Sequence, residues 1–263
     1  MPTRILQLTD LHLLADSGDR ANGVPTRDAF RDVIRFINTS EADYDAVVLT
    51  GDLAQDEVLD TYNVVRDMLG PWTSRCRIIP GNHDLRDGIR QVFPELVPAD
   101  GPITFSLSIG GWQLIGLDSH VPGETTGRID SPQLRWLGKQ LAETEHQPTI
   151  LFIHHPPFSV NSAWMDSMGL VDSGPVLELI RSSPQVQMVC AGHVHMEFAG
   201  QVGHTRVLTT PSTAFQFDPN ANEPVFDSLP PGFRVIYLDG DSCTSEVVRL
   251  PEQRYPPLGR TPS

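Results

Sequence analysis

The sequence predicts an α/β layered fold built on two mixed sheets rather than one parallel sheet. Strand-like and helix-like stretches alternate through the first two thirds of the 263 residues, while the middle and the end read as antiparallel runs. A third pattern bears on chemistry. Five short polar clusters each follow a β-like run: Asp10-Leu11-His12, Gly51-Asp52, Gly81-Asn82-His83-Asp84, His154-His155 and Gly192-His193-Val194-His195.

The elements follow in order. Apolar runs at 5–8, 46–49, 77–79, 149–153 and 187–190 are the strands that lead into the clusters. Between them, Ala29, Phe30, Val33, Ile34 and Ile37 recur at helical spacing over 26–38, with Pro25 in front and Thr26 placed as N-cap. Val58, Leu59, Tyr62, Val65 and Leu69 repeat the pattern over 56–69, which Gly70-Pro71 closes. Ser131-Pro132 opens a third helix as N-cap and N1, and 175–181 reads as a shorter fourth. Residues 103–109 and 112–117 flank Gly110-Gly111 as a hairpin. Runs at 197–202, 206–209 and 234–238 look antiparallel, and 211–231, with Phe215, Phe217 and Phe226, reads as a long loop near the site.

Composition narrows the function classes. The length and 39% hydrophobic content suit one large domain over residues 1–250, with the Pro-rich 251–263 as a surface or disordered tail. A net charge of −14 repels nucleic acid and anionic membrane, so neither is an expected partner. No signal peptide is read at the start, and no apolar run nears the ~18–20 residues that span a bilayer. The expectation is a cytoplasmic protein. Cys76, Cys190 and Cys243 form no CxxC pair, which argues against a cysteine zinc site and a structural disulfide.

Carboxylates, imidazoles and one amide at five strand ends suggest a single rim that grips metal. In an extended segment residues i and i+2 point the same way, so Asp10 with His12, and His193 with His195, can share an ion or serve two neighbours about 3.5–4 Å apart. Asp52 has two oxygens and could bridge them. The neutral Asn82 keeps the centre electropositive. Taken singly, an aspartate after a strand is usually a turn or cap residue, and a histidine in an apolar strand is usually a satisfied core residue. Five such clusters in chain order would need five coincidences. By alternation, His155 falls on the face opposite His154 and is read as structural or supporting, and His120 as structural.

The order Asp-x-His, Gly-Asp, Gly-Asn-His-Asp, His, Gly-His-x-His resembles the calcineurin-like metallophosphoesterases, from Ile5 to about Thr213. The resemblance implies a four-layer α/β/β/α sandwich with a dinuclear site at the sheet edge. It implies Asp10, His12, Asp52 and His195 as ligands of one metal, and Asp52, Asn82, His154 and His193 as ligands of the second, with Asp52 bridging. It further implies in-line attack of a metal-bound hydroxide on a phosphodiester. His83 would lie near the leaving group, donating a proton or neutralising phosphoryl charge, and Asp84 could orient that ring. Iron or manganese is favoured, and zinc or cobalt also suits these donors.

Within the family, Leu117-Asp118-Ser119, Trp136-Leu137, His154-His155-Pro156 and Thr210-Pro211-Ser212-Thr213 resemble the class III cyclic nucleotide phosphodiesterases, in particular the bacterial 3′,5′-cyclic AMP enzymes. A cyclic nucleotide is thus the leading substrate, with a glycerophosphodiester or a broad range of diesters as the alternative. Asn82 and His83 would touch the phosphate, and Phe215 and Phe217, with Trp164 available, could stack on a base, although all three rings could equally be core or lid packing and at least one is expected to be. Relatives of this kind often form homodimers. Some proteins of the fold are non-enzymatic scaffolds that have lost ligands, but here all seven ligand positions are filled.

Overall fold

The computed structural model describes residues 2–40 and 43–259. A five-stranded sheet has the order β13-β12-β1-β2-β3 and a six-stranded sheet the order β4-β5-β6-β7-β9-β8. Their strands are β1 (Thr3–Leu8), β2 (Ala46–Thr50), β3 (Cys76–Ile79), β4 (Phe105–Ile109), β5 (Trp112–Leu117), β6 (Thr149–Ile153), β7 (Val186–Ala191), β8 (Phe198–Val202), β9 (Thr205–Thr209), β12 (Gly232–Asp239) and β13 (Ser242–Arg249). A separate ribbon pairs β10 (Gln216–Phe217) with β11 (Phe226–Asp227). The helices are α1 (Thr26–Thr39), α2 (Leu59–Leu69), α3 (Arg86–Val92), α4 (Ser131–Glu143), α5 (Ala163–Asp166) and α6 (Gly174–Ser182).

Alternation along the strands builds four layers. On β2, Val47 and Leu49 join Phe30, Val33, Tyr62 and Val65 of α1 and α2, whereas Ala46 and Val48 face Trp112, Ile150 and Phe152 of the other sheet. On β6, Leu151 and Ile153 turn the other way, to Leu137 of α4 and Val176 and Ile180 of α6. Both faces of each central strand are therefore buried, which is why β2 and β6 read as unbroken apolar runs. Each fully buried Val, Leu or Ile contributes about 1.5–3 kcal/mol. The result is the expected α/β/β/α sandwich.

β1, β2 and β3 run parallel, as do β5, β6, β7 and β9. The segments that leave β1, β2, β3, β6 and β7 gather at one edge, where a parallel array opens its crevice.

Several local expectations shift. Pro25 rather than Thr26 is the N-cap of α1, and the Thr26 hydroxyl donates to the carbonyl of His12 (2.7 Å), tying the helix to the rim. α2 starts at Leu59, because Asp56 accepts from Thr61 Oγ1 (2.6 Å) and from the Val58 N–H, holding 56–58 as a turn. Asp130, not Ser131, caps α4 by accepting the Gln133 N–H. The hairpin turn at Gly110 and Gly111 has φ of +57° and +83°, the left-handed pair that a two-residue β-turn demands. Residues 211–231 are not wholly loop, since they carry the β10–β11 ribbon. Of the tail, residues 251–259 are described and 260–263 lie outside the described residues. Tyr255 packs against the cluster containing Phe215, and the Leu258 N–H donates to the carbonyl of Asn22 (2.8 Å).

Candidate metal centre

Backbone conformation, not strand alternation, aims the polar clusters. Asp10, His12, Asp52, His193 and His195 have φ of +53°, +47°, +51°, +71° and +48°. These residues lie beyond the strand ends, so extended i, i+2 geometry is not what brings Asp10 beside His12 or His193 beside His195. Left-handed non-glycine residues cost on the order of 1–3 kcal/mol each, and five together mark a site held by its surroundings. The Asp10 N–H donates to Gly51 O (3.0 Å) and the His12 N–H to Asp52 O (2.9 Å), lacing the first two clusters together. The His193 N–H donates to both Asp10 carboxylate oxygens at 3.1 Å, lacing the last cluster to the first.

The histidines are polarised by their outer partners. His12 Nδ1 meets Gln55 Oε1 at 2.8 Å, His154 Nδ1 meets Thr50 O at 2.7 Å, and His195 Nδ1 meets Phe215 O at 2.8 Å. Each of these oxygens accepts, so each Nδ1 carries a proton, and on the neutral ring each Nε2 presents a lone pair inward. Those lone pairs converge. His12 Nε2 and His195 Nε2 lie 3.0 Å apart, His195 Nε2 is 3.3 Å from Asp10 Oδ1, and His154 Nε2 is 3.5 Å from Asp52 Oδ2. Asn82 Oδ1 lies 3.3 Å from His154 Nε2 and 3.0 Å from His193 Nδ1. Two facing imidazole lone pairs beside carboxylates repel unless a cation sits among them. The donor set therefore fits hard-to-borderline divalent ions.

Asp10, His12, Asp52 and His195 form one group able to hold a metal ion, the set expected for the first ion. His154, His155 and His193 form a second. Asp52 and Asn82 also reach it, so the expected second set gathers, with His155 added. The face read for His155 from strand alternation needs correction here. β6 ends at Ile153, alternation stops with it, and the His155 ring lies 4.8 Å from that of His154 and 4.6 Å from that of His193. His155 is fully buried, its Nδ1 2.8 Å from Ser119 Oγ.

Electrostatics follow the same geometry. Burial pushes the Asp52 carboxyl up, but His154, His12 and His83 outweigh it and hold that carboxyl well below the usual range. Burial disfavours charge on His154, yet Asp52 and Asp10 raise its pKa to about 9. In the protein alone a proton on His154 thus does part of the work of a cation, and metal binding would release it. For His12 and His193, burial dominates and lowers the pKa to about 3, leaving neutral rings suited to ligation.

Asp84 does not orient His83. Its carboxylate is fully buried and accepts the N–H groups of Leu53 (3.0 Å), Ala54 (3.1 Å) and Gly81 (2.9 Å) and the hydroxyl of Tyr62 (3.3 Å). It braces the Asp52 and Asn82 loops, and burial together with the Asp52 charge raises it to about 7. Three backbone N–H groups and the Tyr62 hydroxyl are its partners, and the His83 ring is not among them. His83 instead meets Gln55 Nε2 through Nδ1 (3.3 Å), while its backbone N–H donates to Asp52 Oδ1 (2.9 Å).

The centre opens into a cleft of about 320 Å³. His83, Asn82, Gln55, Trp164, Phe217 and Met168 are among the residues that line it. Trp164 and Phe217 meet edge to face at 5.2 Å. Phe215 is 2% exposed and stacks on His12 at 5.4 Å, so its ring backs a candidate ligand. Phe215 still lines the cleft, and of the stacking and packing roles open to it, its contacts with Leu14, Val24 and Ala29 favour packing. His120 belongs to a neighbouring brace, where its N–H donates to Asp118 and its carbonyl accepts from Arg86. Gln55 and the carbonyls of Thr50 and Phe215 do not stand out in the sequence. The only signal for Gln55 is its place three residues after Asp52.

Comparison with known proteins agrees with this geometry. Residues 3–197 match the model of the calcineurin-like phosphoesterase family. The Escherichia coli K12 protein named 3′,5′-cyclic adenosine monophosphate phosphodiesterase CpdA is 33% identical over 256 residues, covering 97% of this chain and 92% of that protein. A Nostoc protein named 3′,5′-cyclic-nucleotide phosphodiesterase is 32% identical over 252 residues, covering 95% and 94%. Among solved structures, a dimetal phosphatase from Danio rerio superposes with a TM-score of 0.69 at 15% identity, covering 97% of this chain and 100% of that one, a likeness of fold. Sequence, architecture and the converging donors together place this chain in the calcineurin-like phosphoesterase family.

Proposed function

We propose that this chain is a two-metal phosphodiesterase that hydrolyses 3′,5′-cyclic AMP to AMP. The observation that carries the proposal is the convergence of inward-facing histidine lone pairs on Asp10, Asp52 and Asn82 at one strand-end rim. Asp10, His12, Asp52 and His195 would hold one ion, and Asp52, Asn82, His154 and His193 the other, with Asp52 shared. Iron or manganese is the favoured occupant, and the donors also suit zinc or cobalt. When bound, such ions supply Lewis acidity that acidifies water and neutralises phosphoryl charge.

The chain's own residues do the rest. Hydrolysis forms a bond from a water oxygen to phosphorus and breaks the bond to the ribose 3′ oxygen, which gains a proton. His83, on the cleft wall beside Asn82, is placed to touch the phosphoryl group or the departing oxygen. Phe217 and Trp164 form an aromatic corner across the cleft where a purine can stack. With a net charge of −14, only a cationic centre would draw an anionic diester inward. The curated relatives named for cyclic AMP support the choice of substrate. We read residues 1–250 as the catalytic domain, working in the cytoplasm. Among the described residues no helix is long and apolar enough to cross a membrane.

The test is a substrate panel with the manganese- or iron-reconstituted protein: cyclic AMP, cyclic GMP, 2′,3′-cyclic nucleotides, glycerophosphodiesters and a phosphomonoester. Cyclic AMP should give the highest kcat/KM. Cleavage of glycerophosphodiesters without cyclic AMP would replace the substrate assignment.

A further inference from the structure

Gln55 touches both a candidate ligand and the one cleft histidine outside the ligand set. Its Oε1 is 2.8 Å from His12 Nδ1, and its Nε2 is 3.3 Å from His83 Nδ1. The rings of His12 and His83 meet edge to face at 5.1 Å, so one amide spans the gap between them. Gln55 is half-buried and lines the cleft.

These contacts have a fixed polarity. Within the proposed metal site, on which this inference rests, His12 uses Nε2 inward, so its Nδ1 bears the proton and must meet an acceptor. That requirement orients the Gln55 amide with its oxygen toward His12. The NH₂ group then faces His83 and can only donate, so His83 Nδ1 must accept. The remaining ring nitrogen, Nε2, carries the hydrogen. A reversed amide would set a donor against His12 Nδ1–H and an acceptor against His83, breaking the first contact to permit the second.

We propose that Gln55 is a positioning residue that fixes the proton of His83 on Nε2, so that His83 meets the phosphoryl group as a hydrogen-bond donor. The metal site thereby dictates the tautomer of a residue that binds no metal. The relay runs from ligand to amide to imidazole over two hydrogen bonds. Of the two roles open to His83 from the sequence, this favours acting on the phosphoryl oxygens, as a neutral N–H donor, over handing a proton to the leaving oxygen. The Nε2–H is the hydrogen it presents, and its Nδ1 is engaged by a donor.

The test is two-bond ¹⁵N–¹H correlation spectroscopy of the zinc-loaded, diamagnetic protein, with His83 assigned by its disappearance in His83→Gln. The wild type should show His83 protonated at Nε2. Gln55→Glu keeps the shape but offers only acceptors, and should move the His83 proton to Nδ1. Gln55→Met offers neither and should leave a mixture. With metal content and melting temperature preserved, Gln55→Glu should lower kcat about 10–100-fold with KM nearly unchanged, the usual scale for a partner one shell out. Leaving-group dependence should be the same for wild type and His83→Ala. A wild-type His83 protonated at Nδ1, or a Gln55→Glu spectrum identical to wild type, would overturn the inference. Either result with diester hydrolysis intact leaves the proposed function standing. An Nε2–H tautomer in a protein that cleaves no diester overturns the function and keeps the tautomer assignment.

Discussion

Gly81 lies flat against the carboxylate of Asp52, and a methyl group at its Cα would overlap Asp52 Oδ1, the Asp52 backbone nitrogen and the edge of His154. The glycine between β3 and Asn82 is therefore a spatial requirement of the centre. Its N–H also donates to Asp84 (2.9 Å), which fixes the loop from the other side. Gly81→Ala should displace Asp52, cost about 1–3 kcal/mol of stability by overpacking, and lower metal occupancy at both positions. Thermal unfolding and metal analysis of the purified variant check this. Wild-type occupancy would show that the loop has more room than the structure gives it.

Asp52 and Asn82 should differ in their effect on metal. If Asp52 is shared as proposed, Asp52→Asn should reduce the metal content from about two ions per chain toward none. Asn82→Ala should deplete mainly the ion beside His154 and His193. Elemental analysis after gel filtration distinguishes the two. Equal occupancy in Asp52→Asn and wild type would sink the bridging assignment.

The two phenylalanines near the centre should separate into a packing residue and a substrate residue. Phe215→Ala empties a buried position behind His12 and should cost about 3–5 kcal/mol, seen in denaturant unfolding. Phe217→Ala, on the open aromatic corner, should weaken base stacking by about 1–3 kcal/mol and raise KM for cyclic AMP accordingly. A small diester without a base should respond little to Phe217→Ala. An equal response of both substrates would assign Phe217 to packing as well.

The cysteines give a check on the fold alone. Burial raises Cys76 and Cys190 to about 12 and Cys243 to about 11. A raised thiol pKa means less thiolate at any given pH, so at pH 8 the native protein should react slowly with an aromatic disulfide reagent, through the partly exposed Cys243. Cys76 and Cys190 should appear only on unfolding. Two or more fast equivalents in the native state would contradict the burial of Cys76 beneath the helices of the first sheet and of Cys190 between the sheets.

What is legible in the sequence, and what is hidden, divides along physical lines. β2 and β6 can be read because both their faces are buried and the runs are apolar throughout. The strand-end residues can be read because seven side chains able to ligate metal in one order rarely arise by chance. α3 escapes because only seven residues form it, too few for a periodic pattern. Asp84 is misleading because adjacency to His83 in sequence suggests contact, whereas its partners come from residues 31 and 30 positions earlier, Leu53 and Ala54. His155 misleads because strand periodicity stops before it. Gln55 and the Phe215 carbonyl act through hydrogen bonds across the fold, which no local pattern encodes.

Whether two ions share Asp52 decides between this mechanism and any other, and anomalous diffraction from crystals grown with manganese reads it without a kinetic assumption. Two anomalous peaks should appear about 3.5–4 Å apart, both bonded to the Asp52 carboxylate, one flanked by His12 and His195 and the other by His154 and His193. A single peak, or peaks away from Asp52, would refute the shared-carboxylate centre.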